Sequence, residues 1–139
     1  GGHTIGRTFG ELAALLERSA APERLGVCVD TCHLHAAGYD LRTPAGYRGV
    51  MDECVSVLGP RRILAFHLND ARAPRGSGLD RHEHIGEGAL GLGPFRRLLR
   101  DARFAGVPKV LETPKEPEPI AARKNLRTLR ALRRVSATS

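Results

Sequence analysis

The chain has 139 residues, of which 22 are Lys or Arg and 15 are Asp or Glu, for a formal net charge of +7. Its 41% hydrophobic and 27% charged residues are the composition of a folded domain, and its length first reads as one ordinary domain. No apolar run approaches the ~18 residues of a membrane span, no basic-then-apolar leader pattern opens it, and three cysteines with no C-x-x-C pair suit a reducing compartment rather than a disulfide framework.

Thr8 and Glu11, three apart and ahead of Leu12, Leu15 and Leu16, form a capping box and predict a first helix running to Ser19. Leu25 to Asp30 reads as a short buried strand. A loop rich in His, Gly and Ala follows. Thr43 caps a second helix with Pro44 in its first turn, an inward stripe of Val50, Cys54, Val57 and Leu58, and a stop at Gly59-Pro60. Ile63 to Leu68 is a second strand. The polar stretch from Asn69 to about Leu92 is too long for idle connection. Gly93-Pro94 opens a third helix with Phe95, Leu98, Leu99 and Ala102 on one face. Val107 to Leu111 is a third strand. Glu116 to Pro119 opens a last helix with Ile120, Leu126, Leu129 and Leu132 on its apolar side. The order α-β-α-β-α-β-α implies right-handed βαβ units and a parallel sheet.

Metal-ligand residue types gather at one edge of this scheme. Asp30 ends the first strand and His33 lies three residues on. His67 is near the end of the second strand, Asp80 and His82 lie in the long loop after it, and Glu112 ends the third. In parallel α/β folds that C-terminal edge is where sites are built. Three His and three carboxylates form a donor set that Zn²⁺ accepts, and Mn²⁺ fits the same nitrogen and oxygen donors. Each residue also has a plainer reading. Asp30 can be a helix cap, His67 a satisfied half-buried side chain, Asp80-Arg81-His82 a solvated loop with a local ion pair, and Glu112 a cap on the turn at Thr113-Pro114. Six such residues at the ends of three successive strands argue for a shared site. Cys28 is expected to point into a packed interior. Cys32 adds a poor chelate with it. His35 and His84 are read as solvent-exposed, and Glu87 as a loop acid.

The runs Gly26-Val-Cys-Val-Asp-Thr-Cys-His33, Ala36-Ala-Gly-Tyr-Asp-Leu-Arg42, His67-Leu-Asn-Asp70, Asp80-Arg-His82, Ile85-Gly-Glu-Gly88 and Leu111-Glu-Thr113 resemble endonuclease IV, the zinc-dependent apurinic/apyrimidinic endonuclease family. The resemblance extends from about Thr4 to about Leu132. It implies the following. The fold is the C-terminal part, about strands six to eight with flanking helices, of a TIM-type (β/α)₈ barrel, so that residues 1–139 are a partial domain whose N-terminal part is missing. Three zinc ions form the family's cluster, and this chain carries ligands for about two. His33, Asp80 and His82 match the full ligand set of one. Asp30, His67 and Glu112, the catalytic group, match three of four ligands of a second. The fourth, a bridging Glu, and two His of the third zinc have no match, and Gly1 to Thr4 resembles the loop just after that Glu. The activity implied is hydrolysis of the phosphodiester 5′ to an abasic site in duplex DNA, leaving a 3′-hydroxyl, in base excision repair. The intact protein would be monomeric, cytoplasmic and on the nucleoid, and without a membrane partner. Arg72, Arg75 and Arg81 on the long loop are the candidates for phosphate contacts.

Two other readings stand beside this one. A metal-dependent sugar isomerase or epimerase barrel also places Glu, Asp and His at strand ends, although Asp80-x-His82 with His33 argues against one. A truncated, noncatalytic fragment is the second, since a (β/α)₈ barrel takes ~250 residues. The net charge favours none of them. Residues 120–139 carry six bases and no acid, leaving the remainder near neutral, and Arg123, Arg127, Arg130 and Arg134 fall at helical spacing as one stripe on an outer helix.

Overall fold

A computed structural model describes residues 5–134. Gly1 to Thr4, matched above to a loop, lies outside the described residues. The elements in chain order are α1 (Phe9–Arg18), β1 (Val27–Asp30), α2 (Thr31–Ala36), α3 (Pro44–Leu58), β2 (Ile63–Leu68), β3 (Asp70–Ala71), β4 (His82–Glu83), α4 (Leu92–Arg100), β5 (Lys109–Leu111) and α5 (Ile120–Arg133). The strands β1, β2 and β5 pair in parallel in that spatial order, and β3 and β4 form a small antiparallel pair within the long loop. The fold is therefore α/β with the parallel strands and crossover helices of a partial TIM-type barrel.

Local chemistry starts and stops these elements as the sequence predicts, with instructive exceptions. Thr8 Oγ1 accepts the Glu11 amide at 3.1 Å. The Glu11 carboxylate reaches past the cap to the amides of Gly6 and Arg7, at 3.0 and 2.9 Å. Thr43 caps α3 through the Gly46 amide at 2.9 Å. Helix α2 occupies the stretch expected to be loop: Asp30 is its cap, accepting the His33 amide at 3.0 Å. A helix this short has too few residues to display a 3.6-residue period. Helix α5 begins at Ile120, and Ile120 and Leu126 are exposed where an apolar face was expected, as is Val57 on α3. Ala102 falls in a tight turn beyond α4 and is also exposed.

The helices cover one face of the sheet. Val27, Val29, Ile63, Phe66 and Leu68 are buried against Phe9, Met51, Cys54, Phe95 and Phe104. A bulge sets both Leu64 and Ala65 opposite the step from Val27 to Cys28, and alternation beyond it sends Cys28, Asp30, Ala65, His67, Val110 and Glu112 towards the other face. Cys28 is exposed there, which corrects its assignment to the interior: the strand's inward positions are Val27 and Val29. No helix among the described residues is long and apolar enough to cross a membrane.

Candidate metal centre

Register does most of the assembly. Asp30 pairs directly with His67, and His67 with Val110, so the ends of β1 and β2 sit side by side and Glu112 follows one residue after β5. His67 Nδ1 lies 2.8 Å from Glu112 Oε2 and 3.7 Å from Asp30 Oδ2. These three residues can offer donor atoms all within 4.8 Å of one another. The β3–β4 pair swings the long loop back over the same edge. His82 Nε2 lies 3.4 Å from Asp80 Oδ1, and His33 Nδ1 lies 3.8 Å from Asp80 Oδ2. The two sets border each other, with His82 Nε2 3.8 Å from Asp30 Oδ2. The structure thus brings all six predicted residues to one rim.

The outward side of two of the imidazoles is occupied. The far nitrogen of His33, Nε2, donates to the Gly6 carbonyl at 3.0 Å. On His82 the far nitrogen is Nδ1, which donates to the Glu112 carbonyl at 2.8 Å. Each bond fixes the tautomer that leaves a lone pair on the nitrogen facing the carboxylates. Four donors around a tetrahedral zinc at ~2.1 Å would stand about 3.4 Å apart. Within the two sets, the spacings of 3.4 and 3.8 Å from Asp80 to His82 and His33 and of 3.7 Å from Asp30 to His67 fit that geometry, whereas the 2.8 Å between His67 and Glu112 is a hydrogen-bond distance that an ion would have to open.

Burial pushes the Asp30 carboxyl above its ordinary pKa. The His33 amide, His82 and the Asn69 amide offset this in part, while Asp80 adds to it. A cation among these donors would remove that penalty. Asn69 is fully buried and donates through Nδ2 to Asp30 Oδ2 at 3.0 Å. Nothing in its sequence position marked it beyond lying in the polar run His67-Leu-Asn-Asp70 directly after a strand.

Other residues settle differently. Cys32 is buried and gives its thiol proton to the Arg81 carbonyl at 3.4 Å, between two candidate ligands. Burial, with Asp80 beside it, pushes that thiol far up, so it is a poor thiolate ligand. His35 is 2% exposed, not solvated: its Nε2 donates to the Ala73 carbonyl at 3.1 Å and so ties the long loop to α2. His84 is half-buried and meets the Asn125 amide at 2.9 Å. Besides Asp30, His67 and Glu112, the donors lying within 4.8 Å of one another among the described residues are Cys32 with Asp80 and His82, and Glu83 with His84 and Glu87; in the last group Glu83 pairs with Arg72 and Glu87 with Lys124, at 3.1 and 2.6 Å. Arg75 lies 3.5 Å from Asp40, and Arg81 is exposed on the hairpin.

The family model described as xylose isomerase-like TIM barrel matches residues 1–132. The protein named "Probable endonuclease 4" of Trichlorobacter lovleyi is 50% identical over 131 residues, covering 94% of this chain and 47% of that relative. Its namesake in Geobacter sulfurreducens is 51% identical over 137 residues, covering 99% of this chain and 46% of the relative. The chain belongs to the endonuclease IV family. The crystal structure of endonuclease IV from Thermus thermophilus superimposes with a TM-score of 0.82 at 39% identity, over 95% of this chain and 46% of that one. The chain spans about half the length of the endonuclease IV relatives it matches. In a barrel of this kind the helices lie outside and the strands' C-terminal ends carry the site. The candidate centre occupies that edge.

Proposed function

We propose that the protein is a zinc-dependent DNA repair endonuclease. It hydrolyses the phosphodiester 5′ to an abasic site in duplex DNA, leaves a 3′-hydroxyl, and serves base excision repair in the cytoplasm. The observation that carries this reading is the convergence of Asp30, His33, His67, Asp80, His82 and Glu112 at one strand edge, in a chain of the endonuclease IV family. His33, Asp80 and His82 would hold one zinc, and Asp30, His67 and Glu112 would give three ligands to a second.

Bound zinc supplies a hydroxide near neutral pH and neutralises charge on the phosphate. The chain's own residues prepare the site. In the neutral ring, His33 Nδ1 and His82 Nε2 carry the lone pair, because the other nitrogen of each donates to a carbonyl. Asp30 and Asp80 present carboxylate oxygens between the imidazoles. Arg81, with Arg72 and Arg75 once they release Glu83 and Asp40, contacts backbone phosphates and sets the duplex over the rim. An abasic nucleotide reaches such a rim by leaving the stack.

The test is incision of a duplex carrying one abasic site by the protein at its full length. The expected result is EDTA-sensitive cutting 5′ to the lesion, restored by zinc and reduced more than about 100-fold by His67→Ala or Asp80→Ala. Isomerisation of a keto-sugar with no abasic incision would establish the sugar isomerase reading instead. The 139-residue chain alone, with the full ligand set of one ion and three of four ligands of a second of the three that the resemblance implies, is expected to cut far more slowly than a chain of the length of its endonuclease IV relatives. EDTA-sensitive incision by the 139-residue chain at the rate of the longer one would refute this.

A further inference from the structure

Asn69 lies between β2 and β3, is 0% exposed, and joins three successive strands through one carboxamide. Its Nδ2 donates to Asp30 Oδ2 at the end of β1, at 3.0 Å. Its Oδ1 accepts the Glu112 amide just past β5, at 2.9 Å. The chemistry of the partners fixes which end is which, because a carboxylate only accepts and a backbone N–H only donates. The backbone of Asn69 is held as well. Thr31 Oγ1, 1% exposed, accepts the Asn69 amide at 2.9 Å and donates to the Asn69 carbonyl at 2.7 Å. Asp30 is therefore gripped at both oxygens, Oδ1 by the His33 amide and Oδ2 by Asn69. That second oxygen is the one facing His67 and His82.

We infer that Asn69 is a positioning residue for the metal centre, fixing the orientation of Asp30 and the seat of Glu112 so that both are in place before an ion arrives. The inference rests on the proposed metal-binding reading of this rim. A carboxylate turned by rotation about its side-chain bonds would have to be ordered on each binding event. Asn69 removes that cost in advance. Its partners explain the residue type: Asp would face Asp30 with a second acceptor, Leu would leave the Glu112 amide unpaired, and Ser is too short to reach both.

The experiment measures zinc affinity by chelator competition in the full-length protein, together with urea stability of the metal-free form. Asn69→Ala is expected to weaken zinc binding about 10- to 100-fold. Asp70→Asn, which disturbs a buried polar neighbour bonded only to a loop, serves as the structural control. It is expected to lower stability while shifting affinity less than about threefold, well inside the effect of an orienting residue. If Asn69→Ala proves insoluble, Asn69→Ser is read the same way. Unchanged affinity in a folded Asn69 variant overturns the inference and leaves the metal reading standing. Equal weakening by Asp70→Asn, or failure of both Asn69 variants to fold even with zinc, also overturns it, since Asn69 would then be a residue of general stability. Absence of zinc binding by the unsubstituted protein sinks the metal reading itself, and this inference with it.

Discussion

Asp70 is fully buried, and its carboxylate accepts four backbone amides: Ala71 and Leu90 on Oδ1, Gly86 and Gly88 on Oδ2, at 2.8 to 3.1 Å. The side chain thus folds the loop after His82 around itself. Gly88 is part of the same device, since a Cβ there would stand 2.5 Å from both the Ala71 carbonyl and Asp70 Oδ1. Asp70→Asn swaps an acceptor for a donor facing amides that can only donate. At least one buried N–H is then left unpaired, and a charged acceptor is lost. The expected cost is about 3 kcal/mol, read as a lower urea midpoint with unchanged slope. A loss below about 1 kcal/mol would show that the loop holds itself by other means. Asp70 stands in the sequence beside His67, yet it serves the loop and not the ligand set. The gathering of the six candidate ligands was legible because strand ends can be counted along a chain and donor types are few. Asn69 and Asp70 were not, because what distinguishes them is burial and partners 16 to 43 residues away. His35 and Cys28 were misplaced for a related reason. Polarity predicts exposure only until a distant carbonyl satisfies the polar atom, and an apolar residue is buried only if something covers its face.

At the scale of elements, a polar cluster locks α3 to the end of α4. Tyr47 on α3 donates its hydroxyl to Asp101 Oδ2 at 2.9 Å. Arg103 grips the same carboxylate through Nε and an NH group at 3.0 and 2.9 Å, and reaches Asp52 on α3 at 2.8 Å. Burial works against ionising Asp101, but the bonds from Arg103 and Tyr47 outweigh it and hold the carboxyl below its ordinary value. The sign follows. A carboxyl that binds protons less readily when folded stabilises the fold above the unfolded value near ~3.9, and that gain disappears as pH falls through the lower folded value. Asp101→Asn is therefore expected to cost about 1–2 kcal/mol at pH 7 and progressively less as pH falls below the unfolded value and through the lower folded one. Urea unfolding at several pH values checks this, and a difference that stays constant with pH would exclude Asp101 ionisation as its source. The elements themselves were largely readable: the caps at Thr8 and Thr43 and the stop at Gly59 appear where the sequence puts them, while β1 and β5 begin two residues later than expected and α4 begins at Leu92, ahead of Gly93-Pro94. The interior of the long loop was not. It is tied by Gly76 and Gly78 amides to the carbonyls of His35 and Ala36, at 2.9 and 3.0 Å, on a helix too short to announce itself. The arginine stripe of α5 is largely exposed, as its spacing implied. Lys124 beside it pairs with Glu87 at 2.6 Å.

For the molecule as a whole, the sheet of β1, β2 and β5 is covered on one face only, and its outer strands have no neighbour among the described residues. In a closed barrel every strand has two neighbours, and the inner face packs on itself. Here Leu64 is 58% exposed and Val110 50%, with Cys28 exposed nearby, all on a parallel sheet, a type that elsewhere is covered on both faces. Open strand edges beside apolar surface recruit other chains. The 139-residue chain in isolation is therefore expected to self-associate, with light scattering giving an average mass that rises with concentration above the 15.1 kDa of one copy. Leu64→Lys with Val110→Lys should shift that curve towards the monomer, because charge at these exposed apolar positions opposes stacking without touching the buried side of the sheet. A chain extended to the length of the endonuclease IV relatives, whose additional strands would occupy both edges, should stay at one mass over the same range. A monomeric 139-residue chain at all concentrations would mean that the exposed apolar surface is not adhesive, and the double-lysine variant should then change nothing. Both strand edges flank the row Asp30–His67–Val110. Whatever covers either open edge therefore borders the candidate metal centre directly.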